Sequence, residues 1–266
     1  MKSAYAAVPT PGTTAKPRES RITMMIDWGI PFSEQADLLD LAGEYVDLAK
    51  VAVGQPAIIS EQSLRKKLKI YADHQVASFP GGMLLEYAFF HGASEAYLKA
   101  TRDVGFPIIE VSDNSIHFEG NQKYELIRRC IGEYGLRVLG ETGRKYEKTD
   151  VEEMIRDIKA CLEAGSWKVL VEAAEFFAGG RFQPEIIKRL VAAAPLDAML
   201  FELPGPHIRD IHHFEIHSML ASLIEAFGPD VNIANLPADL VVVCEMQRQG
   251  IGVSMKVDDR RPVSAR

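Results

Sequence analysis

Short apolar runs alternate with longer amphipathic stretches through the body of the chain. The runs are Ile22–Ile26, Val46–Val51, Val76–Phe79 and Pro107–Val111, then Leu136–Gly140, Trp167–Val171, Ala198–Phe201 and Val231–Ala234. Their apolar residues are largely continuous rather than alternating, which is the pattern of strands buried on both faces in a parallel sheet. Helical spacing predicts Ser33–Gly43, Ile58–Ala72, Ser94–Val104, Asn121–Tyr134, Asp150–Ala164, Pro184–Ala194, Arg209–Phe227 and Pro237–Gln249 between them. Ser33 and Asp150 are placed to cap their helices, with Glu153 at capping-box spacing, and Gly135, Gly165, Gly228 and Gly250 are placed to stop theirs. Eight strand–helix units predict a single (β/α)8 barrel. An open doubly wound sheet is the competitor, but no GxGxxG or GxxxxGKS/T follows the first run.

The barrel is expected to occupy residues 21–254, with a flexible N-terminal arm over 1–20 and a flexible tail over 255–266, because both ends are polar and aperiodic. The arm lacks the apolar stretch of a secretory signal. A chain of 266 residues can bury a core without disulfide or metal staples. Its net charge of -7 argues against a general nucleic-acid or anionic-membrane binder. Cys130, Cys161 and Cys244 lie far apart and read as reduced thiols. No apolar run approaches a membrane span. A cytoplasmic protein acting on a small anionic substrate is the expectation, with no nucleic-acid or membrane partner. Self-association through the arm is compatible with it.

Chemistry in such a barrel gathers where the strands end, and those ends are charged here. In order they carry Asp27, Lys50, Glu110 with Ser112 and Asp113, Glu141 with Arg144 and Lys145, Glu172, Glu202, and Asn232 with Asn235. Carboxylates converging on one mouth need a cation or basic neighbours, and an oxygen-rich site of this kind favours Mg²⁺. Individually, each acid could instead cap a helix or pair with Arg or Lys. Lys50, in an apolar strand, could bind an anion or act as an acid or base with a depressed pKa. Lys145 lies in a loop and could be a solvated cation. Pro80, Gly81 and Gly82 form a tight strand-to-helix turn, suited to close approach by an anion or simply a turn. His213 and His217 share a helix face, but HHFEIH is not HExxH, so a polar helix face is the simpler reading.

Taken in order, the strand-end segments IDWGIPF, VDLAKVAVG, FPGGMLLEYA, IEVSDNSI, LGETGRK, VLVEAAEF, MLFELPGP and VNIANL resemble the phosphosulfolactate synthase family. The resemblance covers about residues 21–250. It implies a (β/α)8 barrel and Mg²⁺-dependent addition of sulfite to phosphoenolpyruvate. The product would be (2R)-phospho-3-sulfolactate, on the route to coenzyme M. It implies Lys145, Lys50 and Glu141 as catalytic residues, with Lys145 giving a proton to C2. Substrate contacts would come from Asp27, Gly81, Gly82, Ser112, Arg144, Glu202 and Asn235. The metal would be held by Glu110, Asp113, Glu141 and Glu172.

The chain also departs from the family pattern. Trp28 stands where the family has a lysine, in a first motif that usually reads DKG. Ala52–Pro56 replaces a GWGTS-like loop, Ala173-Ala174 replaces a segment containing an arginine, and ELPGPH replaces an EAPQK-like run. Two cations suited to phosphate or sulfonate are lost, for which Arg144, Arg181, Arg209 or His207 could substitute. An enzyme for a less anionic enoate or carbonyl compound is therefore the alternative. A non-catalytic stress or regulatory barrel is the third reading, opposed by the retained Lys50, Glu141 and Lys145.

Overall fold

The computed structural model describes residues 4–143, 150–172, 176–178, 181–205 and 211–253. Eight strands build one sheet: β1 (Thr23–Asp27), β2 (Leu48–Val51), β3 (Ala77–Pro80), β4 (Ile108–Val111), β5 (Arg137–Thr142), β6 (Lys168–Val171), β9 (Met199–Glu202) and β10 (Ile233–Leu236). All ladders are parallel, in the order β3-β2-β1-β10-β9-β6-β5-β4. The end strands β3 and β4 pack against each other without a ladder, so the sheet rolls into a nearly closed barrel. The expected (β/α)8 fold is present, and each strand lies within two residues of its apolar run. A small antiparallel hairpin, β7 (Phe177–Ala178) with β8 (Arg181–Phe182), follows β6.

The helices are α1 (Phe32–Ala42), α2 (Gln55–Ile58), α3 (Glu61–Asp73), α4 (Gly82–Phe90), α5 (Ser94–Val104), α6 (Gln122–Gly132), α7 (Val151–Glu163), α8 (Pro184–Ala193), α9 (His213–Phe227) and α10 (Val241–Arg248). Two capping expectations differ from the structure. Pro31, not Ser33, occupies the cap position of α1. Asp150 stands at the cap of α7 but makes no side-chain capping bond. The start expected at Arg209 lies outside the described residues, as does the tail over 255–266.

Strand periodicity sorts side chains into two cores. Met24, Leu48, Phe79, Ile108, Leu139, Leu170, Leu200 and Ala234 meet inside the barrel and fill it. Their chain neighbours Met25, Ala49, Ile109, Val138, Val169, Met199 and Ile233 face outward into the larger core beneath the helices. Fully burying one such leucine contributes about 1.5–3 kcal/mol. At the opposite face to the strand ends, Arg18 of the arm pairs with Asp47 at 3.0 Å and donates to the Glu44 carbonyl. Lys16 donates to the carbonyls of His74 and Gln75, at the end of α3. Asn232, a strand-end candidate, braces this same face: its Oδ1 accepts from Ile22 N, and its Nδ2 donates to Asp197 O and Met199 O.

Candidate active site

The apolar filling determines what stands above it. Two residues beyond Leu48, Phe79, Ile108, Leu139, Leu170 and Leu200 come Lys50, Gly81, Glu110, Glu141, Glu172 and Glu202. A step of two preserves the face of a strand, so one lysine and four glutamates crown the hydrophobic plug at the C-terminal mouth. All five are buried. Lys50 Nζ lies 2.9 Å from Glu110 Oε2 and 3.2 Å from Glu202 Oε1. Burial opposes its charge, but Glu110, Glu202 and Glu141 outweigh that and hold its pKa well above the ordinary lysine value. The depressed pKa considered for Lys50 therefore does not arise, and it is a fixed cation. Burial, followed by repulsion from Glu141 and Glu202, pushes the Glu110 carboxyl up to about 8 against the pull of Lys50.

One oxygen each from Glu141, Glu172 and Glu202 fall within 4.8 Å of one another. Three hard oxygen donors at this spacing suit a Mg²⁺-class ion. Of the residues expected to hold metal, Glu141 and Glu172 belong to this group. Glu110 shares the mouth and, like Glu202, pairs with Lys50, but it is not one of the three. Glu202, expected to touch substrate, is the third member of the group.

Asp113 and Asp27 fall out of phase with the inward face. Asp113 follows Ser112 by one residue and pairs with Lys123 of α6 at 3.0 Å. Asp27 follows outward-facing Met25 by two residues and is completely buried beneath the helices. Its Oδ1 accepts from Gly29 N and Ile30 N, each at 2.8 Å, and its Oδ2 from Lys67 Nζ at 2.6 Å and Tyr71 OH at 2.7 Å. Four donors on two oxygens occupy this carboxylate in holding the β1 loop onto α3.

The Gly81–Gly82 turn is required by close approach. A Cβ on Gly82 would lie 2.8 Å from Glu110 Oε1 and collide with Ser112 Oγ. One on Gly81 would meet Val53 N at 3.1 Å and Lys50 Cε at 3.4 Å. Ser112 donates its hydroxyl to Glu86 Oε1. Asn235 interrupts β10 as a bulge: Thr23 pairs with Ile233 but Met25 with Leu236, and Asn235 takes φ +53°. Its buried Oδ1 has no hydrogen-bond partner among the described residues. Lys145, Arg144, Ala173, Ala174, His207 and Arg209 lie outside the described residues, and of Arg181 only the backbone is described.

Three site residues escaped the sequence reading. Glu86 of α4 is buried and accepts from the backbone N–H groups of Asn114, Ser115 and Ile116, fixing the loop after β4. Asn114, in that loop, donates to Glu141 Oε1 at 2.6 Å. Lys123 lies behind Glu141 and donates to its backbone carbonyl at 2.6 Å. The EYA of FPGGMLLEYA contains Glu86, but only a contact map connects it to a loop 28 residues away.

A parallel eight-stranded barrel with a charged, buried crown at the C-terminal mouth defines a (β/α)8-barrel enzyme. The profile of the (2R)-phospho-3-sulfolactate synthase (ComA) family matches residues 11–253, and the chain belongs to that family. The phosphosulfolactate synthase of Methanothermobacter thermautotrophicus is 29% identical over 253 residues, covering 91% of this chain and 93% of that one. Its counterpart in Methanocaldococcus jannaschii is 28% identical over 241 residues, covering 86% and 91%. Among solved structures, the YdjI aldolase from Escherichia coli K12 is similar in fold, with a TM-score of 0.55, 16% identity, and coverage of 87% of this chain and 82% of that one.

Proposed function

We propose that the protein catalyses Mg²⁺-dependent addition of sulfite to phosphoenolpyruvate, giving (2R)-phospho-3-sulfolactate, as a carbon–sulfur bond-forming lyase. The observation that carries this reading is the grouping of Glu141, Glu172 and Glu202 beside Lys50 at the mouth. Family membership supports it. Held by those three carboxylates, Mg²⁺ would supply charge neutralisation and Lewis acidity toward the enoate oxygens.

The remaining work falls to the chain. Lys50, fixed as a cation, attracts the anionic oxygens of the substrate. The turn at Gly81 and Gly82 keeps the floor of the mouth clear of side chains. The apolar plug beneath excludes water from below. Sulfite sulfur forms its bond to C3 as the C2–C3 π pair moves onto the carboxylate. A proton then reaches C2, and Lys145 is the proposed donor. Product formation from phosphoenolpyruvate and sulfite, with Mg²⁺, with EDTA and in Lys145→Ala, tests the reading. Absence of product with Mg²⁺ would refute the reading, and turnover that survives both EDTA and the substitution would refute the roles given to the metal and to Lys145.

One observation favours the alternative of a less anionic substrate. Trp28 is 48% exposed just beyond β1. It lines an open, largely apolar groove of about 910 Å³ with Pro31, Val53 and Ile58. The backbone of Val53 lies beside the Gly81 turn, while none of the charged residues of the mouth lines the groove.

A further inference from the structure

Behind the mouth lies a second ionic cluster that the proposed chemistry does not use. Lys123, in the first turn of α6, extends inward until its side chain is only 3% exposed. Its ammonium donates to Glu141 O at 2.6 Å, Asp157 Oδ2 at 2.8 Å and Asp113 Oδ1 at 3.0 Å. Three donors meet three acceptors, which is the full capacity of an ammonium. The acceptors come from three elements: the end of β5, the helix α7 and the loop after β4. Asp157 is itself anchored, since its Oδ1 accepts from Tyr124 OH at 2.9 Å. Burial disfavours the charge, but Cys161, Asp157 and Asp113 raise the pKa, so Lys123 remains a cation through the physiological range.

The target of this cluster is Glu141, from two directions. Lys123 holds the Glu141 backbone directly. Through Asp113 it also anchors the loop whose next residue, Asn114, donates to Glu141 Oε1 at 2.6 Å. Glu86 fixes that same loop through the N–H groups of residues 114–116. Backbone and carboxylate of one mouth residue are thereby referred to a single buried charge.

We propose that Lys123 is a positioning residue for the active site, with Asp113 and Asp157 as its counter-charges, and that it sets the orientation of Glu141 within the Glu141–Glu172–Glu202 group. This rests on the cation-binding reading of that group. Outer groups that orient metal-binding residues typically govern affinity or activity by about 10- to 100-fold. Asp113 then contributes to the site through Lys123.

The test must separate aim from stability. Lys123→Met alone leaves Asp113 and Asp157 buried without a cation, so it can fail by unfolding. The Lys123→Met/Asp113→Asn/Asp157→Asn variant keeps the shapes and removes the charges together. Thermal melting, Mn²⁺ binding by calorimetry and hydrogen exchange over residues 110–116 and 137–143 are compared with the wild type. The expected result is a melting temperature near that of the wild type, Mn²⁺ binding weakened about 10- to 100-fold, and faster exchange confined to those two segments. Unchanged Mn²⁺ affinity and unchanged exchange in a folded triple variant would overturn the inference. If the wild type itself binds no Mn²⁺, the cation reading fails, and the exchange comparison decides whether Lys123 positions Glu141. If the triple variant does not fold, Asp113→Ala alone, which removes the acceptor of the loop anchor, is put through the same two measurements with the same criteria.

Discussion

At the scale of single residues, phase along a strand separates the mouth from its supports. Lys50, Glu110, Glu141, Glu172 and Glu202 share the parity of the barrel filling, while Asp27 and Asp113 do not. The sequence made all seven conspicuous as charges at strand ends. It also contained the parity that divides them, since counting in twos from Met25 already sends Asp27 outward. Close approach makes Gly82 equally exacting. Gly82→Ala should leave a folded barrel but displace Glu110 and Ser112, with overpacking costing about 1–3 kcal/mol. Circular dichroism near wild type with turnover reduced at least about tenfold is the expected pair of results. Trp28 tests the substrate from the other side. If phosphoenolpyruvate and sulfite are the substrates, Trp28→Lys supplies one further charge-assisted bond, worth about 1.5–3 kcal/mol. kcat/KM should then rise by about one to two powers of ten, and a fall would favour a ligand that uses the apolar groove.

Elements differed in how well the chain announced them. The barrel strands were legible because burial on both faces leaves unbroken apolar runs. The start of α4 was signalled by the turn at Pro80–Gly82, but its extent was not, because GMLLEYAFF is mostly apolar and shows no stripe. The β7–β8 hairpin was missed because strands of two residues have no periodicity to detect. Glu86, Asn114 and Lys123 were invisible because their roles depend on contacts between separate units. One junction between helices lends itself to a pH test. His74 at the end of α3 meets Asp40 of α1 at 3.0 Å. The hydrogen bond to Asp40, then that to the Ile70 carbonyl, raises the imidazole pKa above its ordinary value. A raised folded-state pKa stabilises below the unfolded value of about 6.5, and that contribution disappears as pH rises through the folded one. Asp40→Asn should therefore lower the urea midpoint at pH 5.5 and leave it unchanged at pH 8.5. An equal loss at both values would mean that the contact acts without the imidazolium.

Across the whole molecule, the arm fastens elements that the sheet keeps apart. Lys16 reaches the end of α3, Arg18 reaches Asp47 beside β2, and Glu19 receives Trp167 Nε1 at 3.0 Å and Lys168 Nζ through its carbonyl at 2.8 Å. No helix of the described residues is long and apolar enough to cross a membrane. The barrel itself has one unlaced joint, between β3 and β4. Topologically this makes it a rolled ribbon rather than a ring: seven ladders carry the closure, and the eighth boundary is held by side-chain packing and by the α4–α5 connection that spans it. The chain between Pro80 and Ile108 is then the natural parting line of the molecule. Hydrogen exchange under mild denaturant should reach the facing edges of β3 and β4 before the amides of β1 and β10. Cleavage engineered at the exposed Gly92, between α4 and α5, should yield two fragments that reassociate, because the β1–β10 ladder joins one to the other. The Gly81 turn and Glu110 border that line from opposite sides, so separating the fragments would divide the charged crown between them.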